Sequence, residues 1–572
     1  MFFPKLKTLR QTRVTLNGFL GLDRREKAPQ GSFYDMENMG SDAAPALQVR
    51  PRRGTVAQLQ KGNGLACKDA LVWVDGHTLY VGGAATGVVL TDSPKQLVSM
   101  GAYLVIFPDK KWVNTRQVSQ FGSLENKTVT TGAVSFSMCS PSGESIGSYL
   151  TAQQPPEAAQ AGALWMDTSA DKAVLRRCGE EGWTAVEDTC VKIAAAGIGV
   201  GFAAGDGVTL SGCGAAGLDG DAVLVAVERD ALVVAGIVEN DMTQDTAVTV
   251  ARSVPDMDYV VECGNRLWGC KYGIVNGKAV NEVYGSKLGD FKNWNCFQGL
   301  STDSYAASRG SDGQFTAAAS YLGSVLFFKE QCIERLYINA GGAHQIVTLE
   351  CSGVEKGSHK SVQTVEGTLY YHGCGGVYAF DGSLPVTVSQ PLRDMALQQA
   401  VGGALGGKYY LSALGADGAP LFVVYDSRHK QWHREDCLRA ADFAADSDEL
   451  YCLGADGRIL ALRGSEGEAE PSLPWLVESN EVGVDTVQQK YPVRLSIRLQ
   501  LAADCRAEAQ LSYDGGKSWQ TQGTLTGDGS LRGVLVHLRP RRCDHFRWRL
   551  LGEGECTVGT VSLVYEKGSD EV

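Results

Sequence analysis

The segment YVVECGNRLWGCKYGIVNGKAVNEVYGSKLGDFKNW, from Tyr259 to Trp294, predicts three short strands in succession. The apolar run VVECG comes first, NRLWGCKY alternates after a turn, and NEVYGSKL follows a second turn at Asn276-Gly277. Asn-Gly between two alternating segments is typical of a tight hairpin. An apolar strand, a glycine turn, an aromatic strand and a further strand are together typical of one blade of a β-propeller.

Units with the same pattern recur on both sides of this segment. Glycine is frequent, with 69 residues against 17 prolines, which favours tight turns between short strands. We predict an all-β protein with a six- to seven-bladed β-propeller, an inserted small β module and a C-terminal β-sandwich. The repeated units lie at 70–83, 96–115, 315–338, 361–382, 406–436 and 442–462.

Breaks in the pattern predict the order of the domains. Residues 125–252 interrupt the repeats, and the charged, proline-containing stretch SEGEAEPSLP separates the last repeat from the C-terminal strands. The predicted domains are an extended N-terminal arm (1–60), the first part of the propeller (61–124), the inserted β-rich module (125–252), the second part of the propeller (253–464) and the sandwich (475–572).

Charge and cysteine spacing exclude several classes of function. The formal net charge of -12 is unfavourable for a protein that coats nucleic acid. The 16 cysteines form no C-x-x-C pair and no cluster with zinc-ligand spacing, so we expect buried thiols and no metal or cofactor. The chain shows no signal peptide and no apolar run of about 20 residues, which predicts folding in the cytoplasm and no membrane partner.

Three local motifs resemble functional sites, and each has a structural explanation. The segment Ser512–Trp519 fits the Asp box, a hairpin-turn motif. Cys543 and His545 share one side of a strand, without an identifiable third catalytic group. His429 and His433 fit a strand, turn and strand, on which metal ligands would diverge. We therefore predict no catalytic, cofactor-binding or metal-binding residue.

The N-terminal sequence NGFLGLDRREKAPQGSFYDMENM, followed by VRPRRG, resembles the N-terminus of phage tail proteins of the nozzle or tail-tubular type. The NRLWGCKY…VYGSKLGDFKNW unit is similar to a blade of their propellers. The resemblance implies a structural virion protein, not an enzyme, that forms part of the DNA-ejection channel of the tail. It also implies a virion location after assembly in the host cytoplasm.

The same resemblance implies several partners. They are further copies of the chain in a homo-oligomeric ring, with a hexamer favoured, and portal, adaptor or other tail proteins. Viral DNA would pass through the channel without sequence-specific binding. The candidate subunit or partner contacts are Phe19, Leu22, Arg50, Arg52 and Arg53. From the residues alone, the three arginines are interpreted as surface charges or partners of nearby carboxylates, with contact to the DNA backbone as the alternative.

The alternative hypothesis is a carbohydrate-binding or sialidase-like propeller protein with a sugar-binding sandwich. On this hypothesis sugar rings would stack on Trp165, Trp183, Trp519 and Trp548. The single Asp box outside the propeller and the lack of a recognisable nucleophile count against it. A non-viral scaffold propeller is a third hypothesis, which explains the blades but not the N-terminal motif.

Overall fold

The computed structural model describes residues 10–568 except Ala158, Asp394 and Asp504. The first nine residues of the predicted arm and the last four of the predicted sandwich lie outside it. Regular structure in the described residues consists of β-strands and two short 3₁₀ helices, His359–Ser361 and Gln390–Leu392. The all-β prediction is therefore confirmed. No helix in this part of the chain is long and apolar enough to cross a membrane.

The N-terminal residues predicted as an extended arm supply five strands to sheets built with distant parts of the same chain. Exposure alternates in the longest of them, where Thr12, Val14 and Leu16 are half-buried and the residues between them are exposed, as in a strand with one covered face. The strands are β1 (Arg10–Leu16), β2 (Phe33–Glu37), β3 (Met39–Gly40), β4 (Leu47–Val49) and β5 (Gly54–Gln58).

Two four-stranded antiparallel sheets follow, each with its strands in chain order. The first contains β6 (Gly62–Lys68), β7 (Ala70–Asp75), β8 (Thr78–Val81) and β9 (Ala84–Val89). The second contains β10 (Gln96–Met100), β11 (Tyr103–Phe107), β12 (Lys111–Asn114) and β13 (Phe121–Ser123).

An insert separates these two sheets from the next ones. It forms an eight-stranded sheet and a small four-stranded sheet, and most of its buried apolar residues belong to a separate core. The eight-stranded sheet contains β14 (Asn126–Val129), β15 (Val134–Cys139), β20 (Cys190–Ala194), β21 (Gly207–Ser211), β22 (Gly220–Glu228), β23 (Ala231–Ala235), β24 (Met242–Gln244) and β25 (Thr249–Arg252). The small sheet contains β16 (Tyr149–Ala152), β17 (Leu164–Asp167), β18 (Val174–Gly179) and β19 (Gly182–Ala185).

Five further sheets follow the insert, and the strands are in chain order except for the N-terminal β5 in the last of them. Four of them have four strands each. The first contains β26 (Tyr259–Glu262), β27 (Leu267–Val275), β28 (Lys278–Gly285) and β29 (Tyr305–Ser308), and the second contains β30 (Ala317–Tyr321), β31 (Ser324–Phe328), β32 (Cys332–Tyr337) and β33 (Gln345–Glu350). The third contains β34 (Gln363–Val365), β35 (Thr368–Gly373), β36 (Gly376–Phe380) and β37 (Val386–Thr387), and the fourth contains β38 (Gln398–Leu405), β39 (Lys408–Leu414), β40 (Pro420–Asp426) and β41 (Gln431–Arg434). The fifth contains β42 (Ala440–Asp446), β43 (Glu449–Gly454), β44 (Arg458–Ala461), the N-terminal β5 and β45 (Glu468–Ala469).

The Tyr259–Trp294 segment forms the three predicted strands, β26 to β28. Val275 and Lys278 are paired across the turn, and both turn residues, Asn276 and Gly277, have positive φ angles of 49° and 79°. Positive φ at both central positions is the requirement of a type I′ hairpin, which explains the Asn-Gly pair.

The two sheets before the insert and the five after it are called the seven ordered sheets, and their first strands lie against one another except at β30 and β34. β6 contacts β10, β10 contacts β26, and β26 contacts β30; β34 contacts β38, β38 contacts β42, and β42 returns to β6. The 3₁₀ helix His359–Ser361 lies between β30 and β38. Because β5 pairs with β44, the N-terminal segment completes the last sheet of this series.

Seven C-terminal strands form two sheets together with the N-terminal strands. They are β46 (Pro474–Ser479), β47 (Lys490–Leu501), β48 (Arg506–Ser512), β49 (Gln520–Thr526), β50 (Leu531–His537), β51 (Arg547–Glu553) and β52 (Cys556–Lys567). β1 and β4 pair with β52 in one sheet, and β2 pairs with β46 in the other. We call these two sheets the C-terminal sheets. Their buried residues share one apolar cluster with Trp432 and Tyr409 of the β38–β41 sheet.

Candidate functional site

A cleft of about 1110 Å³ lies where three distant parts of the chain meet. Residues 48–52 of the N-terminal segment form one wall, and Arg463 and Ser472 come from the segment that follows β44. Gln500 and Thr557, at the ends of β47 and β52, belong to the wall formed by the C-terminal sheets. We call this space the junction cleft.

Close backbone packing places Arg52 and Arg463 at the same end of the junction cleft. A Cβ added at Gly464 would overlap the carbonyl oxygen of Arg52, and one at Gly54 would overlap the carbonyl oxygen of Glu466. Gly464 also has a φ of +71°, which glycine adopts without strain. The Arg-Gly pairs at 53–54 and 463–464 therefore allow the two segments to lie side by side.

A buried ion-pair network lies behind this wall. Arg53 Nη2 is 2.7 Å from Glu435 Oε2, and Arg53 Nη1 is 2.7 Å from Asp436 Oδ2. Arg50 pairs with Asp436 at 3.3 Å and also with Glu470. Burial alone would lower the pKa of Arg53, but attraction to Glu435 and Asp436 outweighs it and raises that pKa above its ordinary value. The charges of Arg50 and Arg53 are thus neutralised inside the chain.

Two arginines of the junction cleft lie outside this network. Arg52 is exposed and donates from Nε to the backbone carbonyl oxygen of Glu470 at 2.6 Å. Arg463 is exposed as well. Asp42, another lining residue, pairs with Lys408 Nζ at 2.7 Å. Among the described residues, neither Arg52 nor Arg463 has a carboxylate within ion-pair distance.

The residues predicted to contact other subunits mostly lie inside the chain. Phe19 is 4% exposed and stacks on Phe33, with ring centroids 5.6 Å apart. Leu22 is 1% exposed, and its N–H donates to the carbonyl oxygen of Trp432 at 2.6 Å. Phe19, Leu22, Arg50 and Arg53 are therefore buried against their own chain, because the N-terminal segment packs on the sheets it helps to build. Arg52 alone of the five is exposed.

Two of the four tryptophans predicted to stack on sugars are buried, and the other two are partly covered by neighbouring side chains. Trp165 and Trp548 are buried, with 5% and 2% exposure. Trp183 packs edge-on against Trp165 at 5.4 Å, and the ring of half-buried Trp519 is covered by the Arg549 guanidinium at 4.1 Å. An indole that already packs against its own chain offers little surface to a sugar.

The three sequence motifs have local structural roles. In the Asp box, Asp514 Oδ1 accepts a hydrogen bond from the Ser518 N–H at 2.9 Å, and hydrogen bonds from Ser518 lower the pKa of Asp514 to about 2. Burial raises the pKa of Cys543 to about 11, which is unfavourable for a nucleophilic thiol. His429 pairs with Asp426 at 2.8 Å, whereas His433 is buried. The described residues contain no group of three potential metal ligands.

The sequence did not single out Arg463 or the polar residues of the junction cleft. These residues come from segments more than 400 positions apart, whose approach no local pattern records. The Arg-Gly pair of VRPRRG and ALRG is only a weak local signal, because the same pair also occurs at 309–310 and 532–533. The copies at 53–54 and 463–464 lie where the segments touch.

No family model and no curated protein matches the chain. Solved structures match weakly. An exo-β-1,3-galactanase from Phanerochaete chrysosporium has a TM-score of 0.21 and 10% identity, over 53% of this chain and 94% of its own. A glycoside hydrolase family 43 arabinoxylan arabinofuranohydrolase from Bacillus subtilis has a TM-score of 0.16 and 11% identity, over 54% and 95%.

A third match covers more of the chain. PorZ, a bacterial surface component of the type-IX secretion system of Porphyromonas gingivalis, has a TM-score of 0.23 and 9% identity, over 92% of this chain and 80% of its own. At these scores no activity is transferred from any of the three proteins.

The predicted function as a phage tail component is corrected by these comparisons. The three structures named above are two glycoside hydrolases and a bacterial surface component, and none is a phage tail protein. The assignment as a non-enzymatic virion protein that forms part of a DNA-ejection channel is withdrawn with it. The homo-oligomeric ring stays a prediction, as does the cytoplasmic site of folding.

Proposed function

We propose that the protein binds carbohydrate in the junction cleft. In this proposal the two sheets before the insert and the five after it are the blades of a seven-bladed β-propeller. The C-terminal sheets form a β-sandwich packed on two of the blades. The cyclic contacts between first strands support the propeller, and the shared apolar cluster supports the sandwich.

The observation that carries the proposal is the lining of the junction cleft. Gln48, Ser472 and Thr557 face it and have no side-chain hydrogen bond to another described residue. Gln500 uses its Nε2 on the carbonyl oxygen of Gly529 at 3.0 Å, which leaves its Oε1 as an acceptor. Amide and hydroxyl groups both donate and accept hydrogen bonds, as the many hydroxyls of a saccharide require. The cleft volume of about 1110 Å³ lies slightly above the range of about 300–1,000 Å³ that is typical of small-ligand sites, so the cleft has room for an oligosaccharide.

Hydrogen bonding, not aromatic stacking, would supply the affinity at this site. Among the described residues, no aromatic side chain lines the junction cleft. Each hydrogen bond that replaces one to water contributes about 1 kcal/mol, so a saccharide that makes several is bound only moderately tightly. Loss of two polar side chains should then reduce binding by about tenfold or more.

A glycan array followed by isothermal titration calorimetry tests the proposal. The wild-type chain should bind a defined subset of oligosaccharides, and the double variant Gln48→Ala/Thr557→Ala should bind them about tenfold more weakly. Gln298→Ala removes an exposed glutamine outside the cleft and should leave binding unchanged. Absence of binding to any glycan, or equal loss in both variants, would refute a saccharide site in the junction cleft. Reducing ends released in the same samples would reveal any accompanying hydrolysis.

A further inference from the structure

We propose that the saccharide bound in the junction cleft is acidic and that Arg52 and Arg463 bind its carboxylate groups. This inference rests on the proposed function and adds the ligand class. Three arginines and two carboxylates lie among the described lining residues, and they differ in whether they have an ion-pair partner.

Two cations of the cleft lining lack an ion-pair partner. Arg50 is paired with Asp436 and Glu470, and Asp42 is paired with Lys408. Arg52 and Arg463 are exposed and, within the described part of the chain, form no ion pair with Glu555 or with another carboxylate. The buried network of Arg50 and Arg53 holds one more carboxylate than arginine, so selectivity for an anion depends on the two exposed guanidinium groups and not on a summed charge. An anionic ligand would pair with these groups directly.

The geometry of Arg52 favours a carboxylate in particular. Its Nε and Nη2 both donate to the Glu470 carbonyl oxygen, which fixes the guanidinium plane and leaves the Nη1 donors free. Arg463 is held beside it by the Gly464 contact, and its guanidinium makes no hydrogen bond to another described residue. A planar guanidinium matches the two oxygens of a carboxylate, and a fixed guanidinium loses less side-chain entropy on binding.

The uncharged polar residues of the lining distinguish a saccharide from a simple anion. Gln48, Ser472 and Thr557 line the same space and are uncharged. A uronic acid oligosaccharide would place its carboxylates on the arginines and its hydroxyls on these groups. Inorganic sulfate or an acidic polypeptide would use the arginines alone.

Trigalacturonic acid and its trimethyl ester provide matched probes, because they share one skeleton and differ in charge. Calorimetry at pH 7 should show that the acid binds wild type at least about tenfold more tightly than the ester. In Arg52→Gln/Arg463→Gln the affinity for the acid should fall to that for the ester. Salt should weaken binding of the acid far more than binding of the ester. Arg428→Gln, which removes an exposed arginine elsewhere, is the matched control.

Each of the other outcomes overturns either the acidic-ligand inference alone or carbohydrate binding as well. Equal affinity for acid and ester, or absence of binding of both when the array yields a neutral ligand, overturns the inference while carbohydrate binding stands. Absence of any glycan ligand overturns both proposals. Binding of inorganic sulfate or of polyglutamate as tight as that of trigalacturonic acid shows a general anion site and also overturns the inference.

Discussion

His433 is 1% exposed on β41, and neither of its ring nitrogens has a hydrogen-bond partner among the described residues. Burial, assisted by the charge of Lys408, lowers its pKa from 6.5 to about 3. The folded protein therefore holds this imidazole neutral over the whole range in which an unfolded histidine titrates. His359 and His372 show the same effect, with pKa values lowered to about 4 by burial.

Replacement of His433 by Leu should reduce the loss of stability in acid. Above pH 6.5 the imidazole is neutral in both states and makes no pH-dependent contribution. Between pH 6.5 and about pH 3, this imidazole is protonated in the unfolded chain but stays neutral in the folded chain. The free energy of unfolding therefore falls as the pH is lowered through this range. For one such histidine the loss between pH 6.5 and pH 4 is about 3 kcal/mol. Urea unfolding at several pH values should show a shallower decline in His433→Leu.

Leu326→Ala provides the control for this measurement. It removes a buried side chain of β31 but no titratable group, so it should lower the free energy of unfolding without changing its slope between pH 6.5 and pH 4. Equal slopes in wild type and His433→Leu would show that His433 is protonated in the folded chain.

At the scale of elements, the contact between the segment after β44 and the segment before β5 depends on Gly464. Gly464→Ala should destabilise the chain for two reasons, since alanine is strained at a φ of +71° and its Cβ would overlap the Arg52 carbonyl oxygen. We expect about 1 kcal/mol from the backbone strain and a further 1–3 kcal/mol, roughly, from the overlap. Thermal and urea unfolding would measure the sum.

Substitution of Gly76 measures the backbone strain without the steric overlap. Gly76 also has a positive φ, +56°, but nothing lies within 4 Å of its Cβ position. Gly76→Ala should therefore cost only the strain, about 1 kcal/mol. If Gly76→Ala and Gly464→Ala were equally stable, the close approach of the two segments would not be required by the fold.

Local elements could be predicted from the sequence because their determinants are local. The Asn276-Gly277 hairpin is an example, since two adjacent residues tolerant of positive φ specify both the turn and its register. The strands of the N-terminal segment carry no such signal. Thr12 pairs with Tyr565 and Phe33 with Ser479, and pairing over such distances depends on burial that no short window records.

The same distinction applies to the candidate site. The sequence predicted either surface positions or carboxylate partners for Arg50 and Arg53 and could not identify the partners. These partners, Glu435 and Glu470, are distant in the sequence and come close only in the folded chain. The junction cleft itself arises only when residues near 50, 470 and 500 meet. Its polar residues are ordinary surface types, and only their convergence makes them a candidate site.

At the scale of the whole molecule, the apolar cores differ in what they connect. One cluster joins Trp432 of the β38–β41 sheet with Phe19 of the N-terminal segment and Val477 and Leu550 of the C-terminal sheets. The insert has a separate cluster that includes Phe136 and Leu232. Elements that share a core unfold together, whereas a unit with its own core can unfold alone.

Removal of residues 126–252 should therefore leave the rest of the chain folded. Asn126 and Arg252 are paired on β14 and β25, so the cut ends are neighbours and a short Gly-Ser linker can join them. The deletion breaks polar interactions with the rest of the chain, such as the hydrogen bond from the Gly207 N–H to Asn293 Oδ1 at 2.9 Å, and water can replace them. Calorimetry should show that the main unfolding transition of the shortened chain lies close to that of wild type.

Deletion of residues 474–568 is the contrasting change. It would expose Trp432 and the other apolar residues that pack on the C-terminal sheets, and β1, β2 and β4 would lose their partner strands. Large exposed apolar surfaces and unpaired strand edges favour aggregation, so this variant should not give a soluble, cooperatively unfolding protein. A soluble, cooperative product from this deletion would show that the sheets fold without the shared core. An insoluble product from removal of the insert would show that the insert is part of the same folding unit.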